Sequence, residues 1–205
     1  MESVIFFEKI PLDPPLEKIY QRMGFKKHIT EISAFQQNET DAFIRESSSL
    51  VTLQGMSLRL KIIQNDGDKI SLSGDLTFNS KKLSAFLRDC REVILMGATC
   101  GGVIMEAIRD KSSRNDLTAA VVYDATASEI VDAGLDWIMH YVNQQLRREG
   151  KTLLPRRFSA GYADFDLENQ KIIYEKLQME KFGVKINSSF ILIPEKSVTA
   201  IGGIF

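Results

Sequence analysis

Arg157 heads the run Arg157-Phe158-Ser159-Ala160-Gly161-Tyr162, an Arg-x-x-x-Gly-Tyr element with a helix start close behind it. A guanidinium offers a planar fork of donors that fits a carboxylate with two parallel hydrogen bonds. Gly161, with Ala160 before it, lets backbone approach a ligand with little side chain in the way. Tyr162 brings a flat face with a polar tip. Together these types suit a small zwitterionic ligand that carries a carboxylate and a ring. Spacing alone favours a plainer description, a surface arginine before a turn with the tyrosine filling a groove. Arg156 is the adjacent alternative, and the motif register selects Arg157.

Asp124 is the second candidate. Helical spacing places it on a stripe with Leu117, Ala120, Val121, Ala127 and Val131. A carboxylate buried there unpaired costs several kcal/mol, an order-of-magnitude figure. It therefore either forms an ion pair, for instance with an arginine of the basic cluster Arg147, Arg148, Lys151, Arg156, Arg157, or it faces a partner. Asp164 and Asp166 are acids within reach of a ligand's ammonium, but capping the following helix is their plainer role. Gly97-Ala98-Thr99-Cys100-Gly101-Gly102 lies between a strand and a helix, where phosphate sites occur. Its spacing is neither G-x-G-x-x-G nor a P-loop, so a tight strand-to-helix turn is the expectation.

Composition narrows the chemistry. The chain has 205 residues, 44% hydrophobic and 26% charged, enough to bury a good core as one domain. A net charge of -1 gives no electrostatic case for nucleic acid or an anionic membrane. Cys90 and Cys100 lack CxxC spacing, and His28 and His140 lie far apart, so no disulfide framework or metal site is indicated. The opening MESVIFFEKIPLD is too acidic and its apolar run too short for a signal peptide. With no run long enough to span a membrane, a cytoplasmic location is expected.

These candidates need elements to hold them. A short strand is expected over 4–7, then a helix opened by Asp13 or Pro14 and stopped by Gly24. A second helix runs from about 30 towards 44, with Ile32, Phe35 and Phe43 inward, and RESSSL after it reads as a polar break. From Val51 the period is two: Leu58, Leu60, Ile62 and then Ile70, Leu72 flank an Asp-Gly hairpin turn. Residues 75–78 continue as strand, Ser80 caps a short helix, and 93–96 is a buried strand. Asp116 opens a helix reaching about 149, with Gly150 after it. A further helix follows Asp166 and carries Ile173 and Leu177. Residues 190–193 and 198–204 are expected to close as a strand pair. Hairpins and helices without regular βαβ alternation give α+β, a largely antiparallel twisted sheet with flanking helices.

RFSAGYADFDLENQ and KSVTAIGGI resemble the activation domain of cobalamin-dependent methionine synthase, in its free-standing version. SLSGDLTF, CREVILMGATCGG and LTAAVVYDATASEIVD carry the resemblance upstream to about Ser57. It thus covers the last two-thirds of the chain, with 1–50 a divergent N-terminal helical portion of a single domain over 1–205. The resemblance implies S-adenosylmethionine as ligand, with Arg157 on its methionine carboxylate and Ala160, Gly161 and Tyr162 around the nucleoside. It implies that Asp124 faces the partner and receives the histidine that leaves cobalt. Cobalamin then arrives on another protein, because the Asp-x-His-x-x-Gly pattern that binds it is absent here, and an external electron donor is needed. The chain would be a reactivation subunit without turnover of its own. Two departures stand out. Many relatives have proline at Ala160, and fused domains carry an aromatic ligand contact near the place where this chain has Gly202 and Gly203. A docking module that does not bind S-adenosylmethionine is the alternative. An ordinary small-substrate methyltransferase ranks last, for want of a glycine-rich turn and a ribose-binding acid.

Overall fold

The computed structural model describes residues 3–26 and 29–205; His28, considered above, lies outside them. The apolar N-terminal run forms β1 (Ile5–Phe7), followed by helices α1 (Leu16–Arg22) and α2 (Ala34–Ser49). Ser33 caps α2 in a capping box with Gln36. The supposed polar break at 45–49 is the last turn of α2. Its serines stay helical because Ser47 and Ser48 hydroxyls donate to the carbonyls of Phe43 and Ile44, at 2.8 and 2.6 Å. Phe35, expected inward, is exposed in the first turn, whereas Thr40, Ile44 and Ser47 face the interior.

The period-two segments make β2 (Gln54–Asn65), β3 (Lys69–Leu72) and β4 (Leu76–Asn79), then α3 (Lys81–Phe86) and β5 (Glu92–Thr99). Asp66 Oδ1 accepts from the Asp68 and Lys69 amides and so closes the hairpin turn. The chain continues through α4 (Val103–Ser113), α5 (Leu117–Arg147), α6 (Asn169–Leu177), a 3-10 turn (Met179–Phe182), β6 (Lys185–Ile186), β7 (Leu192–Ile193) and β8 (Ser197–Ile204). The main sheet runs β4-β3-β2-β5-β8, with β1 also on β2, and its pairings are antiparallel. The fold is α+β, as the sequence predicts.

Two apolar cores lie on opposite faces of this sheet. Ile94, Met96 and Ala98 pack against Tyr123, Ala127, Ile130 and Ile138 of α5. Leu58, Leu60, Leu95 and Ile201 pack against Phe165, Ile173 and Leu177 on the other side. Alternation along β5 therefore serves both faces, which explains its unbroken apolar run. One strand assignment is corrected. β7 pairs with β6, and β8 pairs with β5. Both edges of β8 are already taken: β5 holds one, and 152–158 runs along the other through Leu154 N to Gly203 O (2.8 Å) and the Phe158–Ile201 bridge. No described helix is long and apolar enough to cross a membrane.

Candidate functional site

The Arg157–Tyr162 loop is built as an extension of the sheet. Phe158 and Ile201 exchange backbone hydrogen bonds at 2.9 and 2.7 Å, and Ser159 Oγ donates to Thr199 O at 2.8 Å. The chain then reverses at Gly161, whose φ of +87° only glycine adopts without strain. The turn is closed by Gly161 N donating to Phe165 O (2.7 Å) and Phe165 N to Tyr162 O (3.0 Å). Phe165 anchors it, fully buried and edge-on to Phe78. Ala160 is buried beneath the turn, and Tyr162 stands out of it, 69% exposed. It fills no core groove, so the plainer description of this tyrosine does not hold.

Arg157 points at α5. Its Nη2 donates to Asp132 Oδ1 at 2.6 Å and to the Asp132 carbonyl at 3.4 Å, and its Nη1 donates to Asp136 Oδ1. Lys18 joins from α1, Nζ to Asp136 Oδ2 at 3.2 Å. The Arg157 side chain is 20% exposed and the two aspartates 47%. Burial disfavours the guanidinium's charge, but Asp136 and Asp132 outweigh it and hold its pKa above the ordinary value. In this conformation both Nη groups are occupied by the protein's own acids.

Asp124 is not buried. Its side chain is 51% exposed, beside Leu117 and Val121 at 58% each, because the arc of α5 that packs inward passes through Ala119, Tyr123, Ala127 and Ile130. Its partner is a lysine, not an arginine: Lys196 Nζ lies 2.7 Å from Asp124 Oδ1 and donates to Ser128 Oγ at 2.8 Å. Asp124, Ser128, Asp132 and Asp136 recur every four residues, so they form one polar stripe along α5. At the helical rise the stripe is about 18 Å long from Asp124 to Asp136. Lys196 serves its first half and Arg157 its second, each delivered by chain that borders β8. The structure thus brings two separately chosen candidates onto one surface. Sequence reasoning passed over Asp132, Asp136, Ser128 and Lys196, although the four-residue recurrence was its visible signal.

The remaining candidates have structural employment. Asp164 accepts from Ser80 Oγ (2.6 Å) and from the Lys81 amide (2.8 Å), so it caps the preceding helix α3 rather than α6. These hydrogen bonds, Ser80's foremost, hold its carboxyl below the usual range. Asp166 contributes its carbonyl to Asn169, and Glu168 occupies the cap position of α6. Gly97 to Thr99 belong to β5, and Cys100-Gly101-Gly102 make the turn into α4, with Gly101 at φ +77°. Among the described residues no group of His, Cys, Asp and Glu is arranged to hold a metal ion. Five surface cavities have no residue of 156–163 in their walls; one of about 370 Å³ includes Asp124, Val121 and Leu117.

No family model matches the sequence, and no curated protein matches it. Among solved structures it is similar to a crystal structure of the MetH reactivation domain bound to AdoHcy. The match has a TM-score of 0.70 and 14% identity, and covers 98% of this chain and 78% of that one. An antiparallel sheet with helices in this arrangement is thus the fold of the MetH reactivation domain, and this chain adopts it over almost its entire length.

Proposed function

We propose that this chain is a reactivation subunit: it binds S-adenosylmethionine and supports reductive methylation of cob(II)alamin carried by a separate cobalamin-dependent methionine synthase. The observation that carries the reading is the stripe on α5, where Arg157 and Asp124 meet one surface. The fold shared with an AdoHcy-bound domain supports it.

Binding is an exchange of ion pairs. The ligand's carboxylate takes the Arg157 fork from Asp132, and the freed Asp132 carboxylate takes the ligand's ammonium. No charge is left unpaired on either side, which keeps the desolvation cost low. Tyr162 offers its ring to the adenine, and the Gly161 turn lets backbone lie close to the ribose. An external donor supplies one electron to cobalt, the sulfonium methyl moves to it, and S-adenosylhomocysteine leaves. The role of this chain is positional, so no general base is required. Alone it turns nothing over, and the corrinoid protein and the reductant act in trans.

Mixing the chain with a cobalamin-dependent methionine synthase, a reductant and methyl-labelled S-adenosylmethionine tests this. Label reaches cobalt with the parent chain and is lost with Arg157→Ala. Asp124→Ala keeps S-adenosylmethionine binding but lowers labelling of the partner. A second reading is favoured by the occupied Nη groups of Arg157 and by cavities lying away from its loop: a docking module for corrinoid methyltransferases that leaves S-adenosylmethionine unbound. Calorimetry separates them, since no saturable heat with S-adenosylmethionine, even with the partner present, selects the docking module.

A further inference from the structure

Beside the last turns of α5 a cavity of about 650 Å³ lies against the sheet. That size suits a small-molecule site, which runs to roughly 300–1,000 Å³. Its floor comes from β2 and β5, where Ser57 and Arg59 share a strand face with their antiparallel neighbours Met96 and Ile94. Its roof is Val142 and Leu146, both buried apolar side chains of α5.

Two observations point to an occupant. Ser57 is fully buried in the inner wall, and its Oγ has no hydrogen-bond partner. A buried hydroxyl without a partner is rare in a folded chain and asks for one. The second observation concerns charge. Arg59 makes two 2.7 Å hydrogen bonds to Glu149 and also pairs with Glu92, while Lys151 Nζ lies 2.5 Å from Glu92 and 3.2 Å from Glu149. These two cations and two anions cancel. Lys61, exposed at the mouth, has no ion pair among the described residues, so among them the rim carries one positive charge in excess.

We propose that this cavity is a second ligand site, for a small amphipathic anion whose apolar body lies against Ile5 and Tyr141. Its acidic head meets Lys61, and a polar atom near its inner end takes the Ser57 hydroxyl. The site is separate from the Asp124–Asp136 stripe, and it stands whether or not the chain binds S-adenosylmethionine.

The probe is 8-anilinonaphthalene-1-sulfonate, an aromatic body with one sulfonate. Titrated into the full chain, it brightens saturably with one molecule per chain, and amide shifts cluster at 57–61, 92–94 and 141–146. Lys61→Glu weakens binding about fivefold through the reversed charge. Gln145→Trp, at the exposed rim, blocks the mouth and abolishes it. Both positions are exposed, so the variants keep the fold, which their unchanged melting temperature verifies. Unsaturable fluorescence, shifts centred elsewhere, or parental affinity in both variants overturns the proposal, and a cavity filled by water alone gives the first of these results.

Discussion

Ion-pair exchange at Arg157 makes a signed prediction about Asp132. If the freed carboxylate receives the ligand's ammonium, Asp132→Asn weakens S-adenosylmethionine binding; if Asp132 only competes for Arg157, the same change tightens it. A hydrogen bond to a charged group is worth about 1.5–3 kcal/mol. Arg157 is mostly buried, so Arg157→Ala should cost most of that, roughly 10–100-fold in affinity. Asp132 is about half exposed, and solvent screening reduces its share to about 0.5–1.5 kcal/mol, a loss of roughly 2–10-fold. The clamp also contributes to stability. Losing it in Arg157→Ala costs about 1–2 kcal/mol, or about 2–8 °C in a chain of this length. Calorimetry of parent, both single variants and the double variant, each below its measured Tm, gives the cycle. The two losses should fall short of adding, because both groups hold the two ends of one amino acid. Tighter binding in Asp132→Asn, or parental affinity in Arg157→Ala, refutes the exchange.

The other predictions rest on packing and titration. A Cβ on Gly203 would lie 2.5 Å from Cys90 Sγ and 2.8 Å from Leu154 Cδ1 and Leu87 Cδ2. Gly203→Ala is therefore overpacked by about 1–3 kcal/mol, and a thermal melt should fall by about 2–12 °C. Burial pushes the Cys100 thiol up to about 12, only partly offset by the Lys196 ammonium. Iodoacetamide on the native chain should thus modify Cys90 first, with Cys100 reacting only on unfolding, as read by mass spectrometry. Hydrogen bonds from Arg59, then Lys151, lower the Glu149 carboxyl from 4.5 to about 2. Its folded value lies below its unfolded one, so the stabilisation is present above pH 4.5 and lost as pH falls towards 2. Urea midpoints of Glu149→Gln should therefore decline less steeply than the parent's across that window.

Elements whose pattern is local were legible in the sequence. Leu58, Leu60, Ile70 and Leu72 alternate because they share the face packed on Phe165, Ile173 and Leu177, and a turn-forming Asp-Gly separates the two runs. Asp116 and Gly150 bracket α5 within a few residues, since caps are written in single residue types. Readings failed where a neighbour decides. Serines at 47 and 48 weaken a helix in isolation, but their hydroxyls find carbonyls within it and α2 continues. Nothing local to 190–193 says that both edges of β8 are filled; that follows from 152–158 lying alongside it, a contact across some fifty residues of sequence. The inward arc of α5 was misread at Leu117 and Val121, both exposed, because the true apolar face through Ala119, Tyr123, Ala127 and Ile130 is defined only by the docking of α4 and the sheet.

The candidate site shows the same division at finer scale. Gly161 was chosen for close backbone approach, and the structure gives it a second reason, a left-handed φ of +87° that suits its residue type. Where Arg157 points was not, since a long side chain on a surface loop is directed by the charges it meets. Those charges were in the sequence as an acid-or-hydroxyl recurrence at 124, 128, 132 and 136, a helical spacing that reads as a solvated face until a cation is set against it. Two cations are set against it, Arg157 from the segment alongside β8 and Lys196 from the residue just before β8. The helix alone would carry three aspartates on one stripe and repel an anionic ligand. With Arg157 and Lys196 in place, and Lys18 on Asp136, the stripe becomes a row of exchangeable ion pairs, which a zwitterion can enter at one pair without leaving a charge bare. A plain carboxylate of the same shape would displace Asp132 and give it nothing in return. Under the proposed exchange the stripe would select an amino acid end over a simple acid, so S-adenosylhomocysteine should bind more tightly than its deaminated analogue in the same calorimetric assay.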